Sequence, residues 1–262
     1  MTDRVELPLS GASFGADPSF VELLRRQRPE ALPPAVPAGV DVPQGTTVLG
    51  LRFADGIVMA GDRRATAGYT IADAKMKKVF AADDFSAIAI AGAAGQAVET
   101  VRLFQLELEH YEKLTGDRLS LEGKANRLAQ MIRANFPLAV QGLVVVPLFG
   151  GYDPARGEGR LFYYDATGGR WEEEDYQATG SGAQPAKNSL KKRWRGGLAH
   201  DEAVRVAVEA LIDAAEDDVA TGGPDLSRGI MPVIVTVTAS GAVESPDEDV
   251  AAAVRGVLEA RA

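Results

Sequence analysis

Gln44-Gly45-Thr46-Thr47-Val48-Leu49-Gly50 is the stretch at which the character of the chain changes. Proline and glycine recur throughout residues 1–45 and break long helices and strands there, apart from a short helix predicted over residues 19–28. Hydrophobic residues begin to alternate directly after Gly45, which is typical of a β-strand. We therefore place the start of the folded domain at Thr46 and interpret residues 1–45 as either a disordered tail or a propeptide.

The Gly45-Thr46 junction allows two interpretations. It is either a plain boundary between loop and strand, or a cleavage site that makes Thr46 a new N-terminus. An N-terminal threonine carries a hydroxyl nucleophile and an amine base on one residue, which suits acyl-transfer chemistry. The rest of the sequence has to decide between the two.

Composition predicts a soluble globular protein. The 262 residues are 46% hydrophobic and 25% charged, with a net charge of -9. An acidic chain is a poor partner for nucleic acid or for an anionic membrane surface. The sequence has neither an apolar run of about 20 residues nor a signal peptide at its start. We therefore expect no nucleic acid and no membrane among its partners.

Cysteine is absent, which excludes disulfides, thiolate catalysis and cysteine-ligated metals and fits a cytoplasmic protein. The two histidines, His110 and His200, lie in separate segments, so a triad or metal site would have to use one of them. Gly92-Ala93-Ala94-Gly95 precedes a helix but lacks the Gly-Lys-Ser/Thr of a phosphate-binding loop. We expect no metal and no cofactor.

Hydrophobic periodicity predicts runs of strands that alternate with pairs of helices. This order favours a layered α+β fold with helices on both sheet faces rather than a βαβ unit. Residues 63–72 are predicted to be irregular. Strands are predicted at 46–53, 57–62, 77–81, 86–91, 143–152, 161–165 and 231–238, and helices at 93–114, 121–139, 186–194 and 201–217. Phe136 is expected to point inward from the helix over 121–139, and residues 246–261 are either a helix or a frayed tail.

Lys78 is the most informative single residue. Alternation places it with Met76 and Phe80 on one face of a strand, where it is either an edge lysine or a buried ammonium with a carboxylate partner. Asp62 ends the preceding buried strand and is a candidate partner. A lysine held near a threonine hydroxyl lowers the cost of deprotonating that hydroxyl.

Three further motifs are each ordinary alone. The turn at Gly92 presents amides at a helix start, where negative charge is favoured. Gly180-Ser181-Gly182 is a turn with a hydroxyl, and Asp218-Val219-Ala220-Thr221-Gly222 follows the end of a helix. Together with a Gly-Thr junction, these motifs are more informative than any one of them alone.

Together these motifs match one family. The matching pieces also include Met59-Ala60-Gly61-Asp62-Arg63-Arg64, Lys77-Lys78-Val79 and Ile90-Ala91-Gly92. The sequence resembles the β subunit of the proteasome core particle. Two segments, residues 107–114 and Thr221-Gly222-Gly223-Pro224-Asp225-Leu226, resemble the actinobacterial type most closely. The resemblance extends over residues 46–262.

The resemblance implies a fold and a set of catalytic roles. The fold is the four-layer αββα sandwich of N-terminal-nucleophile hydrolases. Thr46 corresponds to the nucleophile, whose α-amine becomes its base once Gly45 is removed. Lys78 corresponds to the catalytic lysine, Asp62 to its carboxylate partner and the Gly92 amide to the oxyanion donor. The hydroxyls and the carboxylate that support the nucleophile correspond to Ser181, Asp218 and Thr221. Many relatives have serine at the last of these.

The resemblance also implies a precursor with a propeptide over 1–45 and a catalytic domain over 46–262, cleaved between Gly45 and Thr46. It implies a threonine endopeptidase that favours cleavage after hydrophobic residues. The expected partners are identical β subunits in a heptameric ring, proteasome α subunits, a ring ATPase or other activator acting through the α ring, and protein substrates. The expected substrate-binding residues are Ala65, Thr66, Met76, Ile90, Ala94 and Val98.

Three alternatives stay open at this point. A non-catalytic subunit of the same fold would be expected to lack the threonine or the lysine–aspartate pair, all of which are present. The simpler bacterial threonine protease with six-membered rings also begins with Thr-Thr but has a minimal leader. A related amidohydrolase that acts on small amides is the third.

Overall fold

The computed structural model describes residues 45–261, which form two five-stranded sheets, a separate two-stranded hairpin and six helices. The strands are β1 (Thr47–Phe53), β2 (Gly56–Gly61), β3 (Ala65–Ala67), β4 (Thr70–Asp73), β5 (Val79–Asp83), β6 (Ser86–Gly92), β7 (Val145–Asp153), β8 (Glu158–Tyr164), β9 (Arg170–Glu173), β10 (Tyr176–Gly180), β11 (Val233–Thr238) and β12 (Gly241–Glu244). The helices are α1 (Ala94–Thr115), α2 (Leu121–Ala134), α3 (Phe136–Val140), α4 (Ala183–Arg193), α5 (His200–Asp217) and α6 (Asp247–Arg261).

The two large sheets are antiparallel and packed face to face. The first has the strand order β10-β1-β2-β11-β12 and the second β5-β6-β7-β8-β9. An apolar cluster drawn from both sheets fills the space between them. A second cluster joins the first sheet to α4, α5 and α6, and a third joins the second sheet to α1 and α2. The four-layer αββα sandwich predicted from the sequence is confirmed.

Alternation along β1 shows how the sequence builds these layers. Leu49 and Leu51 belong to the cluster on the helix side of the sheet, whereas Val48 belongs to the cluster between the sheets. β2 lies beside it and is buried at every position, because helices cover one of its faces and the second sheet covers the other. The continuous apolar run of β2 follows from this burial on both faces.

Four local predictions were wrong. Residues 63–72, predicted to be irregular, contribute to the β3–β4 hairpin, whose β4 residues are all exposed and so carry no hydrophobic period. The helix predicted over 121–139 breaks at Asn135, because Pro137 has no N–H to continue the first helix and lies in the first turn of a new short helix, α3. Phe136, predicted to point inward, is 43% exposed. The prediction also missed β12, a short and largely exposed edge strand.

The predicted alternation around Lys78 also fails. β5 begins at Val79, so Lys78 lies just outside the strand. Phe80 packs towards the helices of the second sheet, while Lys78 reaches across to Asp62 at the end of β2. Between residues 45 and 261, none of the helices has the length and hydrophobicity needed to cross a membrane.

Candidate active site

Thr46 lies at the entrance to β1 and is 5% exposed. Its hydroxyl donates to the carbonyl oxygen of Gly45 at 2.6 Å. Its own carbonyl oxygen accepts the Ser181 amide at 2.8 Å, and its nitrogen lies 3.4 Å from the Ser181 hydroxyl oxygen. The hydroxyl is therefore fixed against the peptide group that joins Gly45 to Thr46.

Asp62 and Lys78 form a buried ion pair beside this peptide group. Asp62 follows the last residue of β2 and Lys78 precedes the first residue of β5, so the stacking of the two sheets brings them together. The Lys78 ammonium donates to Asp62 Oδ1 at 2.6 Å, to the Arg64 carbonyl at 2.5 Å and to the Gly45 carbonyl at 3.3 Å. All three ammonium protons are used.

The Asp62 carboxylate is held at both oxygens. Besides Lys78, Oδ1 accepts the Thr47 amide at 2.8 Å, and Oδ2 accepts the amides of Arg64 at 2.9 Å and Gly222 at 2.8 Å. A buried charge is tolerated only when it is paired and hydrogen-bonded in this way. Burial nevertheless lowers the pKa of Lys78 below its usual 10.5, although Asp62 acts in the opposite direction.

Gly45 has no room for a side chain. A Cβ atom at this position would lie 2.3 Å from Thr66 Oγ1, 2.7 Å from the Cβ of Ala220 and 2.8 Å from its carbonyl oxygen. These distances are shorter than any ordinary contact between such atoms. Only glycine therefore fits in front of Thr46 in this arrangement.

Ser181, Asp218 and Thr221 form a second group around Thr46. They come from the turn after β10 and from the segment after α5. Asp218 Oδ2 accepts the Ser181 hydroxyl at 2.5 Å and the Thr221 hydroxyl at 2.6 Å, and Oδ1 accepts the Ala220 amide at 3.1 Å. The group contacts Thr46 through Ser181.

The Gly92 amide points toward the edge of β6 that faces β5, next to which Lys78 lies. The Ile90 amide donates to the Lys78 carbonyl on the β5 side of β6, whereas the Ala93 amide donates to the Val144 carbonyl on the β7 side. Because amides alternate sides along a strand, the Gly92 amide points to the β5 side, beyond the start of that strand. That it serves as an oxyanion donor stays a prediction.

Comparison with known proteins identifies the family of this chain. A family model described as "Proteasome subunit" matches residues 42–225. The chain belongs to the proteasome family. A proteasome subunit beta of Streptomyces griseus is 52% identical over 248 residues, which cover 93% of this chain and 88% of that protein. A proteasome subunit beta of Acidimicrobium ferrooxidans is 54% identical over 240 residues, which cover 91% and 88%. The resemblance found in the sequence is confirmed.

The predicted substrate-binding residues differ in their exposure. Ala65 is buried, and Ile90 is only 2% exposed because it belongs to the cluster beneath α1 and α2. The remaining four, Thr66, Met76, Ala94 and Val98, are half-buried. That they line a specificity pocket stays a prediction.

Thr47 had no predicted role, although it contacts both groups around Thr46. Its amide donates to Asp62, and its hydroxyl lies 2.6 Å from that of Thr221. Arg64, whose carbonyl accepts from Lys78, was missed as well. The signal for Thr47 was the second threonine of the Gly-Thr-Thr run, whereas a backbone carbonyl leaves no signal in a sequence.

The two histidines are engaged or positioned elsewhere. His110 is exposed on α1, and His200 contacts Asp201 Oδ1 and Thr236 Oγ1, each at 3.0 Å. Within residues 45–261 no three His, Asp or Glu side chains cluster as metal ligands.

Proposed function

We propose that this chain is a threonine endopeptidase subunit of a proteasome core particle, made as a precursor that cleaves itself between Gly45 and Thr46. Its membership of the family and its similarity to two proteasome β subunits support the role of a proteasome protease subunit. The observation that carries the proposal is the contact of the Thr46 hydroxyl with the Gly45 carbonyl, to which Lys78 also donates.

Self-cleavage follows from the covalent geometry of this junction. Attack of Thr46 Oγ1 on the Gly45 carbonyl carbon closes a five-membered ring, and the hydroxyl is already 2.6 Å from that carbonyl's oxygen. The new C–O bond replaces the Gly45–Thr46 C–N bond, and the hydroxyl proton ends on the Thr46 nitrogen. Water then hydrolyses the ester, which releases the Gly45 carboxylate and restores the Thr46 hydroxyl. Residues 1–45 thereby act as a propeptide, and residues 46–262 form the catalytic domain.

The mature site repeats the same chemistry on a substrate peptide. The Thr46 hydroxyl attacks the substrate carbonyl, and the free α-amine takes its proton and passes it to the leaving amine. The Lys78 ammonium, held by Asp62, lowers the cost of forming the alkoxide. The Gly92 amide donates to the developing oxyanion. Water completes the cycle by hydrolysing the ester on Thr46.

The remaining group keeps the base in position. Ser181 contacts the Thr46 nitrogen and is itself bound to Asp218, which also binds Thr221. A threonine at position 221 supplies the same hydroxyl as the serine of many relatives, so we expect only a small effect of that difference.

Peptide hydrolysis tests this proposal directly. The assembled particle with Thr46→Ala is expected to lose hydrolysis of unfolded protein and of fluorogenic peptides, while Thr100→Val, a buried change in α1, retains it. Hydrolysis that survives Thr46→Ala contradicts the proposal.

We propose that the pocket residues favour cleavage after hydrophobic residues. Ala65, Met76, Ile90, Ala94 and Val98 are small or apolar, and Thr66 is the one polar member. Because a missing methylene changes such discrimination by only about 1–3 kcal/mol, the preference is expected to be broad. A fluorogenic peptide panel measures it, and a dominant preference for acidic or basic residues would refute it.

The names of the two relatives support assembly with other proteasome subunits. We propose a heptameric ring of identical β subunits that encloses a chamber with proteasome α subunits and is fed by a ring ATPase or another activator. Sedimentation tests the assembly, since an active monomer would contradict it.

A further inference from the structure

We propose that Thr47 is a positioning residue, whose buried hydroxyl donates to Thr221 and so holds in place the hydrogen bonds that end on Asp218. The inference rests on the proposed function, because it concerns the surroundings of Thr46 as nucleophile and base. Thr47 is fully buried in β1. It is also the one residue next to Thr46 on its C-terminal side, so it moves with the nucleophile.

The direction of these hydrogen bonds follows from counting protons. A hydroxyl has one proton to donate, and an ionised carboxylate can only accept. Thr221 donates its proton to Asp218 Oδ2, so Thr47 is the donor in the 2.6 Å contact between the two threonine hydroxyls. The Gly182 amide donates to Thr47 Oγ1 at 3.0 Å and thereby occupies its acceptor side.

On the other side of Asp218, a hydrogen bond from Ser181 leads to the Thr46 nitrogen. The Ser181 hydroxyl lies 2.5 Å from Asp218 Oδ2 and 3.2 Å from the Thr46 carbonyl oxygen, and its one proton goes to the nearer, charged carboxylate. Its oxygen therefore faces the Thr46 nitrogen, 3.4 Å away, as an acceptor. An α-amine at this nitrogen gives one N–H to Ser181 and keeps its lone pair for the hydroxyl proton of Thr46.

Close packing leaves little freedom to rearrange this network. A Cβ atom on Gly182 would lie 2.4 Å from Thr47 Oγ1 and 2.7 Å from Thr221 Oγ1. The backbone of Thr47 is fixed as well, since its amide donates to Asp62 Oδ1 at 2.8 Å and its carbonyl accepts the Asp62 amide at 3.1 Å. Thr47 thus connects the ion pair on one side of Thr46 with the hydroxyl network on the other.

Replacement of the Thr47 hydroxyl tests the inference in the assembled, mature particle. Thr47→Val keeps the shape and removes the hydroxyl, whereas Thr47→Ser keeps the hydroxyl. We expect Thr47→Val to lower kcat about 10-fold with KM unchanged, a part of the roughly 10²–10⁴-fold that positioned proton transfer contributes. The acidic limb of its pH profile shifts, because that limb reports the α-amine. Thr47→Ser behaves like the wild type.

Thr100→Val is the matched control, because Thr100 is also buried and hydrogen-bonded but lies in α1. It is expected to change thermal stability without changing the pH profile. If Thr47→Val does not assemble, Thr47→Cys, which keeps the volume and replaces the hydroxyl by a weak donor, takes its place with the same expected loss.

Two results overturn the inference while leaving the proposed function standing. One is a wild-type kcat and pH profile in Thr47→Val or Thr47→Cys. The other is an equal loss in Thr47→Ser, which would show that shape rather than the hydroxyl matters. Failure of the proposed function looks different, because the Thr46→Ala particle would then still hydrolyse peptides.

Discussion

Addition of a single methyl group at Gly45 tests the proposed cleavage geometry. Gly45→Ala places a Cβ against Thr66 Oγ1 and Ala220, so Gly45 must move away from the Thr46 hydroxyl. We expect precursor cleavage to slow by at least 10-fold, since a misplacement of about 1 Å can cost roughly 10² in rate. Intact-mass time courses of the freshly made precursor measure this directly.

A helix glycine provides the control for this change. Gly256 lies within α6, where an added methyl group would have no atom within 4 Å apart from its chain neighbours and the nearby backbone of its own helix. Gly256→Ala should be cleaved at the normal rate and be slightly more stable, by about 0.5–1 kcal/mol. Equal cleavage rates for the two alanine variants would show that the space around Gly45 does not matter.

The pKa of Lys78 is expected to set the alkaline limit of activity. Burial lowers its pKa, so the ammonium loses its proton at a lower pH than an exposed lysine does. Because the proposed mechanism uses the charged form, kcat/KM should fall as pH rises through a value below 10.5. The pH profile of the mature particle measures this, with recovery of activity on return to neutral pH as the control against denaturation. Activity that stays constant up to the usual lysine range would count against a charged Lys78.

At the scale of elements, one arginine joins strands and a helix of the second sheet. Arg160 on β8 is 3% exposed and binds Glu122 on α2, Asp153 at the end of β7 and Glu172 on β9. The hydrogen bond with Glu172 is the main cause that raises the pKa of Arg160, and it lowers that of Glu172. Arg160 could not be singled out from the sequence, since its carboxylate partners lie in three different elements.

Loss of this arginine should destabilise the domain. Arg160→Met removes the cation that three carboxylates share, although Glu122 keeps Arg170 and Glu172 keeps Arg156. We expect a loss of about 2 kcal/mol in the free energy of unfolding. That is less than the roughly 3–5 kcal/mol of a fully buried pair, because Glu122 and Glu172 are partly exposed. Urea denaturation at neutral pH measures it. Arg228→Ala, which removes an exposed pair with Asp225, should cost less than about 1 kcal/mol.

The stability difference between the wild type and Arg160→Met is expected to depend on pH. Because the pKa of Glu172 is lowered in the folded protein, its contribution to stability is present above the unfolded value near 4.5 and is lost as pH falls further. The stability difference between the wild type and Arg160→Met should therefore shrink below pH 4.5. A difference that stays constant into that range would exclude the carboxylates as its source.

Elements that are buried on at least one face were predictable from the sequence, and exposed elements were not. β1 follows from alternation, β2 from its continuous apolar run and the paired helices from the period of 3.6, since tertiary packing requires those patterns. The β3–β4 hairpin and β12 are exposed and carry no such pattern. Lys78 shows the same limit, because its contact with Asp62 depends on how two sheets stack rather than on its own strand.

At the scale of the whole molecule, residues distant in sequence meet at one point because the sheets pack face to face. The Gly-Thr junction, Asp62, Lys78 and the Ser181 turn lie at neighbouring ends of different elements. The sequence predicted these groups through family resemblance. Their distances, the confinement of Gly45 and the contacts of Thr47 depended on the structure, since they arise from packing between segments up to 174 residues apart.

The N-terminus of the purified protein tests the central claim most directly. We predict that the intact mass of the assembled chain corresponds to a start at Thr46, and that Thr46→Ala retains the full-length precursor. An active particle whose chains keep residues before Thr46, or normal cleavage of the Thr46→Ala chain at this junction, would contradict it.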